Sequence, residues 1–129
     1  MPAYDSAAFR PAAPVAFVTV RSSTNGASAT DVPMLIDSGS DVSLLPRDFI
    51  VGLIGAVQES AHYEIEGFDG TKSVAPAVQV EIEFLGKLFR GQFLIIDGRM
   101  GIMGRNVLNS IRLSLDGPAL TWSEVKRKR

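Results

Sequence analysis

The chain predicts an all-β domain, a barrel or a sandwich of short strands. Three observations carry this. Residues 78–84, Val78-Gln79-Val80-Glu81-Ile82-Glu83-Phe84, alternate strictly between apolar and polar side chains, the period of a strand with one buried face. Short β-branched or apolar runs recur along the chain, separated by Gly, Pro, Asn, Asp and Ser clusters. Helical periodicity is scarce, and only the short segments 47–53 and 105–110 qualify as helix candidates.

Each element follows in order. Prolines at 2, 11 and 14 with several alanines read as a flexible, extended lead-in over residues 1–14. Residues 15–20, β-branched and apolar, form a strand. The Ser/Thr/Asn/Gly-rich stretch 22–30 reads as a loop. Met34-Leu35-Ile36 is a short apolar run, the mark of a strand buried on both faces. Residues 63–66 and 71–74 flank Gly67-Phe68-Asp69-Gly70, a hairpin whose Asp-Gly tip tolerates positive φ. After residues 78–84, Leu85-Gly86-Lys87 turns the chain into an antiparallel strand over 88–96. Residues 111–115 and 119–122 form a last hairpin about Asp116-Gly117-Pro118. The folded domain therefore spans residues 15–122, and residues 123–129 form a solvated basic tail.

Composition narrows the function. At 129 residues and 13.9 kDa the chain makes one domain with room for a core. A net charge of −1 provides no overall basic field, which argues against bulk nucleic-acid binding. With no cysteine there is no disulfide, thiolate metal site or cysteine nucleophile. The single histidine, His62, leaves no multi-histidine metal site and sits at the base of the first hairpin, where it is read as solvent-facing. No run reaches the about 20 apolar residues of a membrane span, and the N-terminus lacks the charged start and apolar run of a secretory signal. No cofactor, metal or membrane partner is expected, and cytoplasm is the default location.

The chemistry is concentrated in Ile36-Asp37-Ser38-Gly39-Ser40-Asp41-Val42. A carboxylate ends a buried apolar strand, followed by a hydroxyl, a glycine, a small residue and a second carboxylate. Taken alone, such a segment is an ordinary polar turn. It is no calcium loop, because Val42 stands at the sixth position and no glutamate at the twelfth. A second segment lies downstream: Ile102-Met103-Gly104-Arg105-Asn106-Val107-Leu108.

The two segments together, with the glycine-edged hairpin between them, resemble the retropepsin-like aspartic proteases, the retroviral proteases and their cellular and bacterial relatives. The resemblance runs from about residue 15 to 122. It implies a single small closed barrel with a flap hairpin and one short helix near the C-terminus. It implies that Asp37 is the catalytic acid, supported by Ser38, Gly39 and Ser40. Asp41 and Arg105 match a structural ion pair. Ile102, Met103 and Gly104 match the floor of the site, and Gly67, Phe68, Asp69 and Gly70 the substrate-covering flap.

The hydrolysis such proteins perform needs two carboxylates about 3 Å apart that share a proton. This chain has one such loop; neither Asp69-Gly70 nor Asp97-Gly98 has the intervening hydroxyl residue. The resemblance thus implies a symmetric homodimer with Asp37 from each copy at the axis, acting on extended polypeptide. The alternative is a catalytically silent peptide-binding or scaffold domain of the same fold. The flap tip departs from the retroviral pattern in Phe68 and Asp69, and residues 111–122 continue past the point where retroviral chains end. That extra hairpin looks closer to the cellular and bacterial relatives, with Leu113, Leu115, Leu120 and Trp122 divided between dimer interface and core.

Overall fold

A computed structural model describes residues 2–22, 26–54, 59–66 and 70–126. The alternating segment at 78–84 forms the C-terminal half of a long strand that closes the molecule. In chain order the elements are β1 (Tyr4–Asp5), β2 (Ala13–Ser22), β3 (Ser28–Ile36), β4 (Leu44–Pro46), α1 (Arg47–Ile54), β5 (Glu59–Glu66), β6 (Lys72–Phe84), β7 (Lys87–Ile96), β8 (Gly101–Met103), α2 (Arg105–Leu108), β9 (Leu113–Asp116) and β10 (Thr121–Glu124). Strands neighbour one another in the order β2-β3-β8-β4-β7-β6, and β6 pairs back onto β2, which closes a six-stranded barrel. β1 extends the sheet beyond β2, β5 extends it beyond β6, and β9–β10 form a separate two-stranded sheet.

The alternation in β6 works as the sequence implies. Val78, Val80, Ile82 and Phe84 are buried. The opposite face carries Glu81, 2.8 Å from Arg90 on β7, and Glu83, 2.9 Å from Arg21 on β2. Such surface pairs contribute at most about 1 kcal/mol each; the inward face does the work of folding. There β2 supplies Ala16, Val18 and Val20, β3 supplies Val32 and Met34, and α1 seals one side with Ile50 and Leu53.

Several elements differ from the sequence reading. β6 is one strand through Pro76, not two segments. Its ladder to β7 starts only at Ala77, so at Pro76 it is bonded on one side, where a missing N–H is tolerated. β3 begins at Ser28, which shortens the loop read at 22–30. Both helix candidates form, as α1 and the shorter α2, so the one short C-terminal helix that the resemblance implies is not the only one.

The lead-in is built into the domain. Tyr4 and Asp5 pair with Pro14 and Ala13 on β2. The Tyr4 N–H donates to Leu120 O at 2.8 Å and the Trp122 N–H to Pro2 O at 3.0 Å. The extended backbone thus satisfies its polar groups between β2 and β10 rather than in water. In the last hairpin Asp116 faces Thr121, so residues 117–120 make the turn and the second strand starts later than read. Trp122 ties this hairpin to the barrel: its indole N–H donates to Val15 O at 3.1 Å and its ring packs 6.0 Å from Phe84. Of the four residues divided between core and interface, Trp122 is core, Leu113 half-buried, and Leu115 and Leu120 exposed.

Candidate active site

β8 lies between β3 and β4, parallel to the first and antiparallel to the second. This crossing fixes the site. Beyond Ile36 the ladder gives one more bond, Asp37 N–H to Met103 O at 3.0 Å, and the chain then turns away. The turn is closed by Ser40 N–H to Asp37 O at 3.2 Å. The Gly39 N–H donates to Asp37 Oδ1 at 2.9 Å, which orients the carboxylate. Asp37 is half-buried, whereas Ser38, Gly39 and Asp41 are exposed. The loop is therefore a rigid shelf that presents one carboxylate at its rim.

The segment from Gly104 onward clamps that shelf from below. Arg105 N–H donates to Ser40 O at 2.8 Å, and the Arg105 guanidinium to Ser38 O at 2.7 Å. Ser40 Oγ donates to Val42 O at 2.7 Å. Gly104 passes so close to the Asp37 loop that an added Cβ would run into Val42 O, lie 2.6 Å from the Val42 carbonyl carbon and 2.8 Å from Ser40 O. The brace read between Asp41 and Arg105 takes a different form: among the described residues Arg105 makes no ion pair with Asp41 and holds the Ser38 carbonyl instead.

Ile102 and Met103 do not share a face. Met103 points into the barrel core, while Ile102 packs on a second apolar cluster with Leu44, Ala77 and Leu94, joined by Val42 and Ile96. That cluster adjoins the Asp37 loop and reaches the foot of the β5–β6 hairpin, because Ala77 on β6 faces Ala61 on β5. The hairpin forms with Glu66 opposite Lys72. Gly70, at φ +82°, sits in a backbone region that glycine adopts without strain. Gly67, Phe68 and Asp69 lie outside the described residues.

The sequence reading missed Ser43. It is buried, its hydroxyl donates to Asn106 Oδ1 at 2.7 Å, and it accepts the Gly104 N–H at 2.9 Å. A lone polar residue within Val42-Ser43-Leu44-Leu45 was the available signal. Ser43→Ala leaves the buried Gly104 N–H without a partner, so it is expected to cost about 1–3 kcal/mol of stability. A urea midpoint equal to that of the parent protein would contradict this role.

Among the described residues no group of three His, Asp or Glu side chains is arranged to hold a metal ion. No helix among them is long and apolar enough to cross a membrane.

A closed barrel with a carboxylate-bearing loop at an internal strand crossing defines a fold class. The solved structure of EIAV protease complexed with the inhibitor HBY-793 matches this chain with a TM-score of 0.55 and 23% identity, over 76% of this chain and 86% of that one. The fold is therefore that of a retroviral protease. No family model matches the sequence.

Proposed function

We propose that the chain is an aspartic endopeptidase of the bacterial or cellular retropepsin type, active as a symmetric homodimer. The observation that carries the proposal is Asp37 itself: a half-buried carboxylate oriented by the Gly39 N–H at the end of a barrel strand, present once per chain.

In the dimer two Asp37 carboxylates face each other about 3 Å apart and share one proton, because both cannot ionise at that distance. The ionised one takes a proton from a water as its oxygen attacks the peptide carbonyl carbon. The protonated one donates a hydrogen bond to the carbonyl oxygen, where negative charge develops. The tetrahedral intermediate then collapses, the C–N bond breaks, and a proton passes to the departing nitrogen. Each chain contributes the same elements to this site. The Ser38 hydroxyl, exposed and without a hydrogen-bond partner among the described residues, is free to bond the partner's loop and hold the two carboxyl groups coplanar. Ser40, Asp41 and Arg105 support the loop, with Gly104 permitting the close packing.

The cluster about Ile102 offers an apolar wall for a substrate side chain. The β5–β6 hairpin acts as the flap: Gly67, Phe68, Asp69 and Gly70 cover an extended peptide and exclude water once it is bound. Exposed Leu115 and Leu120 on the C-terminal hairpin add apolar area for the pairing of two copies. No cofactor is required.

The test is dilution. Cleavage per molecule of an unstructured protein substrate is expected to fall as the enzyme is diluted, in step with dimer dissociation followed by sedimentation velocity. A chain that stays monomeric at high micromolar concentration, or cleaves equally well per molecule when fully monomeric, overturns the proposal. Retained peptide binding without any turnover would favour a silent binding domain of this fold.

A further inference from the structure

At the far end of α2 from the Asp37 loop, a groove of about 430 Å³ opens between the start of β7, the turn after α2 and the base of the β9–β10 hairpin. Its charge is unlike that of the whole chain. Lys87, Arg112 and Lys126 line it against a single carboxylate, Glu124, three cations to one anion, while the full sequence carries −1. The walls are fixed by backbone: Val125 N–H donates to Arg112 O at 2.8 Å. Lys87 Nζ donates to Ser110 O at 2.9 Å, which positions the ammonium and leaves two of its three hydrogens for a ligand. Arg112 and Lys126 are exposed and form no ion pair among the described residues.

We propose that this groove docks an acidic peptide segment, one in which carboxylates flank an apolar side chain. The cations supply the charge, and the planar Arg112 fork suits a carboxylate. Ile111 and Val125, the latter 46% exposed, give the groove an apolar strip that a peptide side chain can cover. Nucleic acid fits less well. Its continuous phosphate charge would meet Glu124 inside the groove, and a net charge of −1 supplies no overall basic field to hold it. The volume lies in the range of specific ligand pockets and accommodates a few residues, not a globular surface. This docking is independent of the reading of Asp37 as catalytic, since the Asp37 loop is clamped at the opposite end of α2.

The experiment uses the full chain and a fluorescein-labelled peptide of glutamates flanking one leucine, read by fluorescence anisotropy and by amide NMR shifts. Saturable binding is expected, with shifts confined to Lys87, residues 109–112 and residues 124–126. Added salt weakens it. The charge reversals Arg112→Glu and Lys126→Glu each weaken binding about tenfold or more; both sites are exposed, and circular dichroism checks that the fold is kept. The same peptide with lysines for glutamates is expected not to bind. Absence of saturable binding overturns the proposal, as does binding unchanged in both variants. So does displacement by inorganic phosphate or by a single-stranded oligonucleotide as readily as by the unlabelled peptide.

Discussion

Asp37→Asn is expected to remove peptide cleavage almost entirely, by about 10⁴-fold or more in turnover, the scale seen when a residue at the heart of a catalytic group is deleted. The reason lies in protons, not in shape. Asparagine keeps the oxygen that accepts the Gly39 N–H at 2.9 Å, so the loop retains its turn. What it loses is the ability to accept a proton from water and return it to the leaving nitrogen. Stability is therefore expected to move by no more than about 1 kcal/mol. Pairing of two copies is expected to persist, since two neutral amides can hydrogen-bond across the axis where the acids share a proton. The measurement pairs a cleavage assay on an unstructured substrate with thermal unfolding and sedimentation of the same preparation. Full activity in a folded Asp37→Asn protein would end the assignment of this carboxylate as the catalytic acid.

Gly104→Ala is expected to have the largest effect on stability. Its φ of −94° and ψ of −174° are open to any residue, so backbone freedom is not the issue. The obstacle is steric: a methyl group would overlap the Val42 carbonyl and press on Ser40 O. Both are main-chain atoms at the strand crossing and have nowhere to go without breaking the Arg105 N–H to Ser40 O bond at 2.8 Å. Overpacking of this kind costs about 3 kcal/mol, which lowers Tm by roughly 10 °C in a domain of this size. Gly52→Ala in α1 is the control. Nothing lies within 4 Å of its added methyl, and alanine is the better helix former, so stability is expected to hold or rise by up to about 1 kcal/mol. Calorimetry of the two variants distinguishes them. Equal melting temperatures would mean that the Asp37 loop and α2 are not locked as described.

What could be read from the sequence was what its side chains repeat. The alternation of 78–84 gave β6 its inward face, and the apolar run before Asp37 gave β3. The two motifs that meet at the crossing were legible because glycine and charge mark them. Elements held by tertiary context were not legible. β4 and β8 are three residues each, too short for any period to show, and exist because β3 and β7 lie alongside. β1 is two residues that pair because β2 and β10 offer bonds. Arg105 has its anionic match four residues past Asp37 in the chain, yet in three dimensions the Ser38 carbonyl is the acceptor that its guanidinium reaches. Opposite faces for Ile102 and Met103 follow from strand geometry once β8 is known to be a strand, and the motif alone does not say so.

The bridge between Ala3 and Thr121, with Trp122 N–H bonded to Pro2 O, brings the two ends of the fold side by side. A domain whose first and last strands lie side by side in this way can be spliced into a surface loop of another protein without prying that host apart. It also lends itself to circular permutation: a short peptide leading from the end of β10 back to β1, with a new opening cut at a distant turn, would leave the barrel and the Asp37 shelf undisturbed.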